Sequence, residues 1–229
     1  MLKTNHKNEK SYIHPKDPTA GVTGVTFKNK IILLPISLFI ATLLSSCGKG
    51  PKKEPSEIFQ AFKGNQTYEG GPGFDTISYA DINTNIVVDL TKPSEQITFN
   101  SSVHTLVDIE HIIGTDLDDL ILGGSSDTTK YTGGDGCDTF KLFFGINTIT
   151  DLETCDIFIV GEDAQLYAHV PIEFIASIET TSDGYVELIS ANSGSTISLE
   201  KADKGSFMLF GGWGQDTLTG GHFDDTLFG

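Results

Sequence analysis

A nine-residue pattern of glycine, acid and one apolar residue constrains this chain more than any other feature. Residues 133–141 read GGDGCDTFK, with Gly133, Gly134 and Gly136 at positions one, two and four, Asp138 at six and Phe140 at eight. Residues 70–78 (GGPGFDTIS) and 211–219 (GGWGQDTLT) fill the same positions, with Asp75 and Ile77, then Asp216 and Leu218. One such stretch would be ordinary turn chemistry. Recurrence in register argues for more. Residues 105–113 place Glu110 and Ile112 at positions six and eight, 114–122 place Asp119 and Ile121 after Gly114, 151–159 keep Asp156 and Phe158, and 220–228 keep Asp225 and Leu227.

The physical reading is an all-β fold, a parallel β-roll of nonapeptide repeats. Glycines permit positive φ and close backbone approach in a tight turn. Positions seven to nine form a short strand whose central residue points inward. Two nonapeptides complete a coil, so turns two repeats apart stack on one side. A cation between two such turns would take carboxylate oxygen from position six and carbonyl oxygen from the neighbouring glycine turn, which suits calcium and its demand for about six to eight oxygen ligands. Asp119 and Asp138 form the best pair, with Asp116 and Asp118 beside them, and Asp138 and Asp156 form the next. Thr129 faces Asn147 on the opposite side, with Asp127 nearby, as a weak site. Asp75, Asp216 and Asp225 have no strong partner two repeats away and rank lower. Each repeat buries one main apolar residue while its turns crowd carboxylates together, so the roll is expected to order on binding calcium. Cys137 and Cys155 both stand at position five of repeats on the same side, and fit either a disulfide or two free thiols.

Charge divides the chain. Its 229 residues carry a net charge of −16, with residues 1–63 at +6 and residues 64–229 at −22. The acidic part should attract divalent cations and repel phosphate, which argues against nucleic-acid binding. In the basic part Lys28 and Lys30 precede an apolar run over 31–44, too short to span a bilayer comfortably, which ends in Leu44-Ser45-Ser46-Cys47. That order is similar to a bacterial lipobox, with Cys47 lipid-modified after cleavage. Residues 1–46 then form the export signal and 47–63 a tether. The expected location is the outer membrane or cell surface, or the medium if secreted.

Repeats 64–159 form the main roll, with a strand-bearing insertion at 79–104. Residues 160–201 alternate apolar and polar residues around Ser182-Asp183-Gly184 and Asn192-Ser193-Gly194, which predicts antiparallel hairpins. Residues 202–229 read as a partial second roll, whose ends could stack on another copy.

Together, residues 64–160 and 202–229 resemble the RTX, or haemolysin-type, calcium-binding repeat family. The resemblance implies a parallel β-roll and calcium binding at Asp75, Asp119, Asp138 and Asp216. It does not carry over protease activity, because no H-E-x-x-H occurs. No phosphate loop or G-x-S-x-G elbow is visible either, and no catalytic residue is assigned. The expected role is binding, adhesive or structural, with an unknown protein or glycan partner. The alternative is the calcium-dependent accessory part of a longer exported enzyme or toxin.

Overall fold

The computed structural model describes residues 55–92, 94–123, 128–190 and 192–229. The export signal, residues 47–54 of the tether with Cys47, and Asp127 lie outside the described residues. No helix occurs among those described, and the strands wind into a solenoid with parallel pairing between successive coils.

The chain enters through β1 (Ile58–Gln60), β2 (Gln66–Glu69) and β3 (Thr76–Ser78). It continues with β4 (Val87–Asp89), β5 (Ile97–Phe99), β6 (Ser102–Val107), β7 (His111–Ile113), β8 (Leu120–Gly123) and β9 (Thr128–Thr132). Two long strands follow, β10 (Thr139–Ile149) and β11 (Ile157–Val170). The last coils use β12 (Glu173–Ile175), β13 (Thr181–Ser182), β14 (Tyr185–Ser190), β15 (Thr196–Ser198), β16 (Phe207–Phe210), β17 (Thr217–Thr219) and β18 (Thr226–Phe228).

One face stacks β4, β8, the start of β10, the start of β11 and β13. A second face stacks β1, β3, β7, β9, the ends of β10 and β11, then β14, β16 and β18. A third, shorter face of β12, β15 and β17 appears in the later coils.

Position eight explains the core. On the first face Val88, Ile121, Phe140 and Phe158 stack in register, all fully buried. On the second, Ile77, Ile112, Tyr131, Ile149, Ala168, Leu188 and Leu209 form one continuous buried column. Alternation along each short strand puts these side chains inside and their neighbours on the surface. The column ends at Leu227, which is 45 % exposed.

Three boundaries differ from the sequence reading. Residues 160–201 are not antiparallel hairpins, because β11 pairs in parallel with β13 and β14, and β12 with β15. Period-two alternation reports which side of a strand is buried, not the direction of its neighbour. The turn at Gly184 bends the chain around the coil instead of reversing it, and a methyl group there would overlap the carbonyl oxygens of Gly161 and Ala164. Antiparallel pairing occurs instead inside the insertion, where β5 pairs with β4 and β6.

The first coil also begins earlier than expected. β1 lies within 47–63 and pairs with β3 at the two-repeat spacing, Ile58 against Thr76, so the tether gives way to the roll before residue 64. Finally, β16 continues the stack from β14, and β17 that from β15. Residues 202–229 therefore extend the same solenoid and are not a second roll.

Candidate metal centre

The turns before the first-face strands bring Asp119, Asp138 and Asp156 into one buried column. The backbone N–H of Asp119 donates to Oδ1 of Asp138, and that of Asp138 to Oδ1 of Asp156, each at 2.8 Å. At the head of the column Ile86 N–H donates to Oδ1 of Asp119 at 2.7 Å. Each position-six acid thus bonds the main chain of the preceding coil, which fixes its side chain without neutralising it.

The second oxygens differ. Oδ2 of Asp119 accepts from Thr115 N–H within its own turn, and Oδ2 of Asp156 accepts from Glu153 N–H, both at 2.7 Å. Oδ2 of Asp138 is buried with no hydrogen-bond partner. The cause lies one coil on: the carboxylate of Asp151 takes the N–H groups of Gly133 and Gly134, at 2.9 and 3.0 Å. Gly134 is the counterpart of Thr115, so its N–H is no longer offered to Asp138. Sequence reasoning passed over Asp151, because it stands at position one, where the pattern calls for glycine.

The glycines divide two tasks. In the turn at 133–138 positive φ falls at positions two and four, Gly134 (101°) and Gly136 (121°), where other residues would be strained. Position one needs glycine for space. A methyl group at Gly133 would overlap Oδ2 of Asp138, and one at Gly114 would overlap both Oδ2 of Asp119 and the carbonyl oxygen of Gly133. At Gly134 it would strike the carbonyl oxygen of Thr115. Stacked turns therefore bring carboxylate and main-chain carbonyl oxygens close together along the column.

Burial pushes Asp138 up to about 8, and the charges of Asp156, Asp119 and Asp151 add to the rise. Burial likewise raises Asp156 to about 7, with Glu153 and Asp151 contributing, and raises Asp119. Buried carboxylates resist ionisation unless a positive charge or enough donors compensate.

Of the remaining predicted acids, Asp75 has a neighbour that a search at the two-repeat spacing misses. Its N–H donates to Oε2 of Glu110, 35 residues on, because the insertion lengthens that coil. Its Oδ1 accepts from Glu57 N–H at 2.6 Å, and its Oδ2 is buried without a partner. The signal was present in Glu110 at position six. Asp216 bonds Ser195 N–H at 2.8 Å and also has an orphaned Oδ2. Asp225 bonds the N–H groups of Phe207 and Gly221. The preceding residue is not an acid in either of these columns.

Thr129 does stack on Asn147, but the Asn147 amide donates to the carbonyls of Phe144 and Gly145, so an amide fills that side. Asp118 accepts from Cys137 N–H at 2.8 Å. Cys137 and Cys155 form a disulfide with Cα atoms 5.0 Å apart.

Among the described residues no three His, Cys, Asp or Glu side chains are grouped to hold a metal ion. A cation here would have to draw on paired carboxylates and turn carbonyls. The donors fit a hard cation in kind: all are oxygens, and Asp75, Asp138 and Asp216 each keep a buried lone oxygen. No protein-family model matches this chain, and no curated protein matches it.

Proposed function

We propose that this chain is a calcium-binding β-roll of the RTX type with a binding, adhesive or structural role. The observation that carries the reading is the orphaned Oδ2 of Asp138, buried between Asp119 and Asp156 above a glycine turn. Leaving a buried carboxylate oxygen unpaired is costly, and a divalent cation offsets both that cost and the repulsion along the column. Asp138, Asp119 and Asp156 would supply carboxylate oxygen, with main-chain carbonyls of the turns at Gly114, Gly133, Gly134 and Gly136. Asp75 and Asp216, each with a buried unpaired oxygen, would serve lesser sites, and Asp225, with neither such an oxygen nor an acid before it in its column, the weakest. Bound calcium contributes charge neutralisation and folding free energy.

Export and anchoring through a lipid on Cys47 belong to the same proposal, supported by the basic flank, the apolar run and the LSSC sequence. Mass spectrometry of the membrane fraction would find a diacylated Cys47 at the new N-terminus. A mature protein retaining residues 1–20 would exclude that processing.

Calorimetric titration with calcium, run beside a magnesium control, tests the central claim. Calcium should bind and magnesium should not compete at equal concentration. In parallel, the far-ultraviolet circular dichroism β signal should grow between chelator and millimolar calcium. No heat of binding and an unchanged spectrum would reject the reading.

A further inference from the structure

The disulfide between Cys137 and Cys155 joins two turns that are built differently. The turn at 133–138 carries three glycines, whereas the turn at 151–156 reads DLETCD and carries none. Between the turns at 114–119 and 133–138, glycines let one turn settle closely on the next. Here the contact is made by the Asp151 carboxylate on Gly133 and Gly134, by Asp138 N–H donating to Asp156, by Ile157 N–H donating to the Asp138 carbonyl, and by the disulfide.

Acting against that contact, once the acids ionise, is a concentration of like charge. Asp138, Asp151, Glu153 and Asp156 all belong to these two turns, and the ion pairs among the described residues, Lys92 with Asp89 and Lys204 with Asp183, lie elsewhere. Each cysteine immediately precedes an acid of the column, and both are exposed to solvent. The crosslink therefore sits where repulsion would part the coils, and within reach of a soluble reductant.

We propose that the Cys137–Cys155 disulfide is a redox-sensitive clamp, which holds turn 151–156 on turn 133–138 and lets that junction open when a dithiol reduces it. A thiolate of the dithiol attacks one Sγ, giving a mixed disulfide and releasing the other cysteine as a thiolate, which takes up a proton. The second thiol of the reductant then displaces the remaining cysteine. The protein gains two electrons and two protons, and the dithiol leaves as a disulfide. Once the link is broken, closure of the intervening chain is no longer imposed covalently. The consequence for cation binding rests on the calcium reading above, but the clamp itself does not.

Amide hydrogen exchange on the full chain in chelator, oxidised and then reduced with dithiothreitol, tests the clamp without any metal. The amides of Gly133, Gly134 and Asp138 should exchange about tenfold faster or more after reduction, while those of Ile86 and Asp119 hold their rates. The double substitution Cys137→Ser with Cys155→Ser should reproduce the reduced pattern and ignore dithiothreitol. If that variant does not fold, reduced wild-type protein decides alone. Identical exchange in both redox states, with thiol titration confirming reduction, would overturn the clamp. A calcium titration of both states separates the two claims: weaker binding on reduction supports both, whereas no binding in either state removes the calcium reading and leaves the clamp to the exchange result.

Discussion

Asp138 N–H donates to Oδ1 of Asp156 across one coil at 2.8 Å, so a residue placed to bind through its side chain is also a rung of the main-chain ladder. The same bond joins Asp119 to Asp138. This double use makes the acids of the column hard to move.

Replacing Asp138 by asparagine keeps an oxygen to accept from Asp119 N–H and removes the charge. Calcium affinity should fall roughly tenfold or more, as a loss of about 1.4 kcal/mol implies. Stability in chelator should be unchanged or higher, since a repelling carboxylate is gone. Asp183→Ala, at an exposed pair with Lys204, is the control and should leave the affinity within about twofold. Equal effects from the two substitutions would contradict the assignment of the site.

The acids also set a pH dependence for the metal-free protein. Asp138 at about 8 and Asp156 at about 7 lie above their unfolded value of 3.8. Their stabilising protonation is complete below that unfolded value and is lost as pH rises through the folded ones. Buried His104 and His111 act in the opposite sense, because burial lowers both, His111 to about 4, and their contribution is lost as pH falls below 6.5. Between about pH 6.5 and about pH 8 the acids therefore govern, and urea midpoints in chelator should decline across that interval. Calcium affinity should rise over the same interval with release of protons. A midpoint that climbs with pH in chelator would contradict the burial of these carboxylates.

Glycine at position one is a packing requirement. Gly133→Ala would drive a methyl group into Oδ2 of Asp138 and should lower stability by about 2 kcal/mol or more. Gly71→Ala places its methyl in open space at φ 75°, so it should cost only about 1 kcal/mol, the backbone strain. Chemical denaturation of both variants in calcium measures the difference. Similar losses would mean that φ alone accounts for these glycines.

Core position eight should be graded along the stack. Phe140 is fully buried, and its replacement by alanine should cost about 3–5 kcal/mol. Leu227 is 45 % exposed at the end of its column, and Leu227→Ala should cost less than about 1 kcal/mol. Thermal denaturation of the two variants checks the order.

By itself the sequence determined the repeat unit, the inward residue at position eight and the acid at position six. These follow from local chemistry: glycine sets the turn, alternation sets the buried side, and both act within one repeat. Ile77, Phe140 and Phe158 were legible for that reason, as were Asp119, Asp138 and Asp156. Only the tertiary structure decided which coils are neighbours. The insertion carries Glu110 to 35 residues from Asp75, although the two share a rung. Parallel pairing over 160–201 was likewise hidden, because alternation is the same in either strand direction. Asp151 breaks the local pattern, yet its carboxylate caps the turn of the coil before and leaves Asp138 with an unpaired oxygen. Contacts between coils depend on the path of the chain and on main-chain hydrogen bonds, which the spacing within a repeat does not encode.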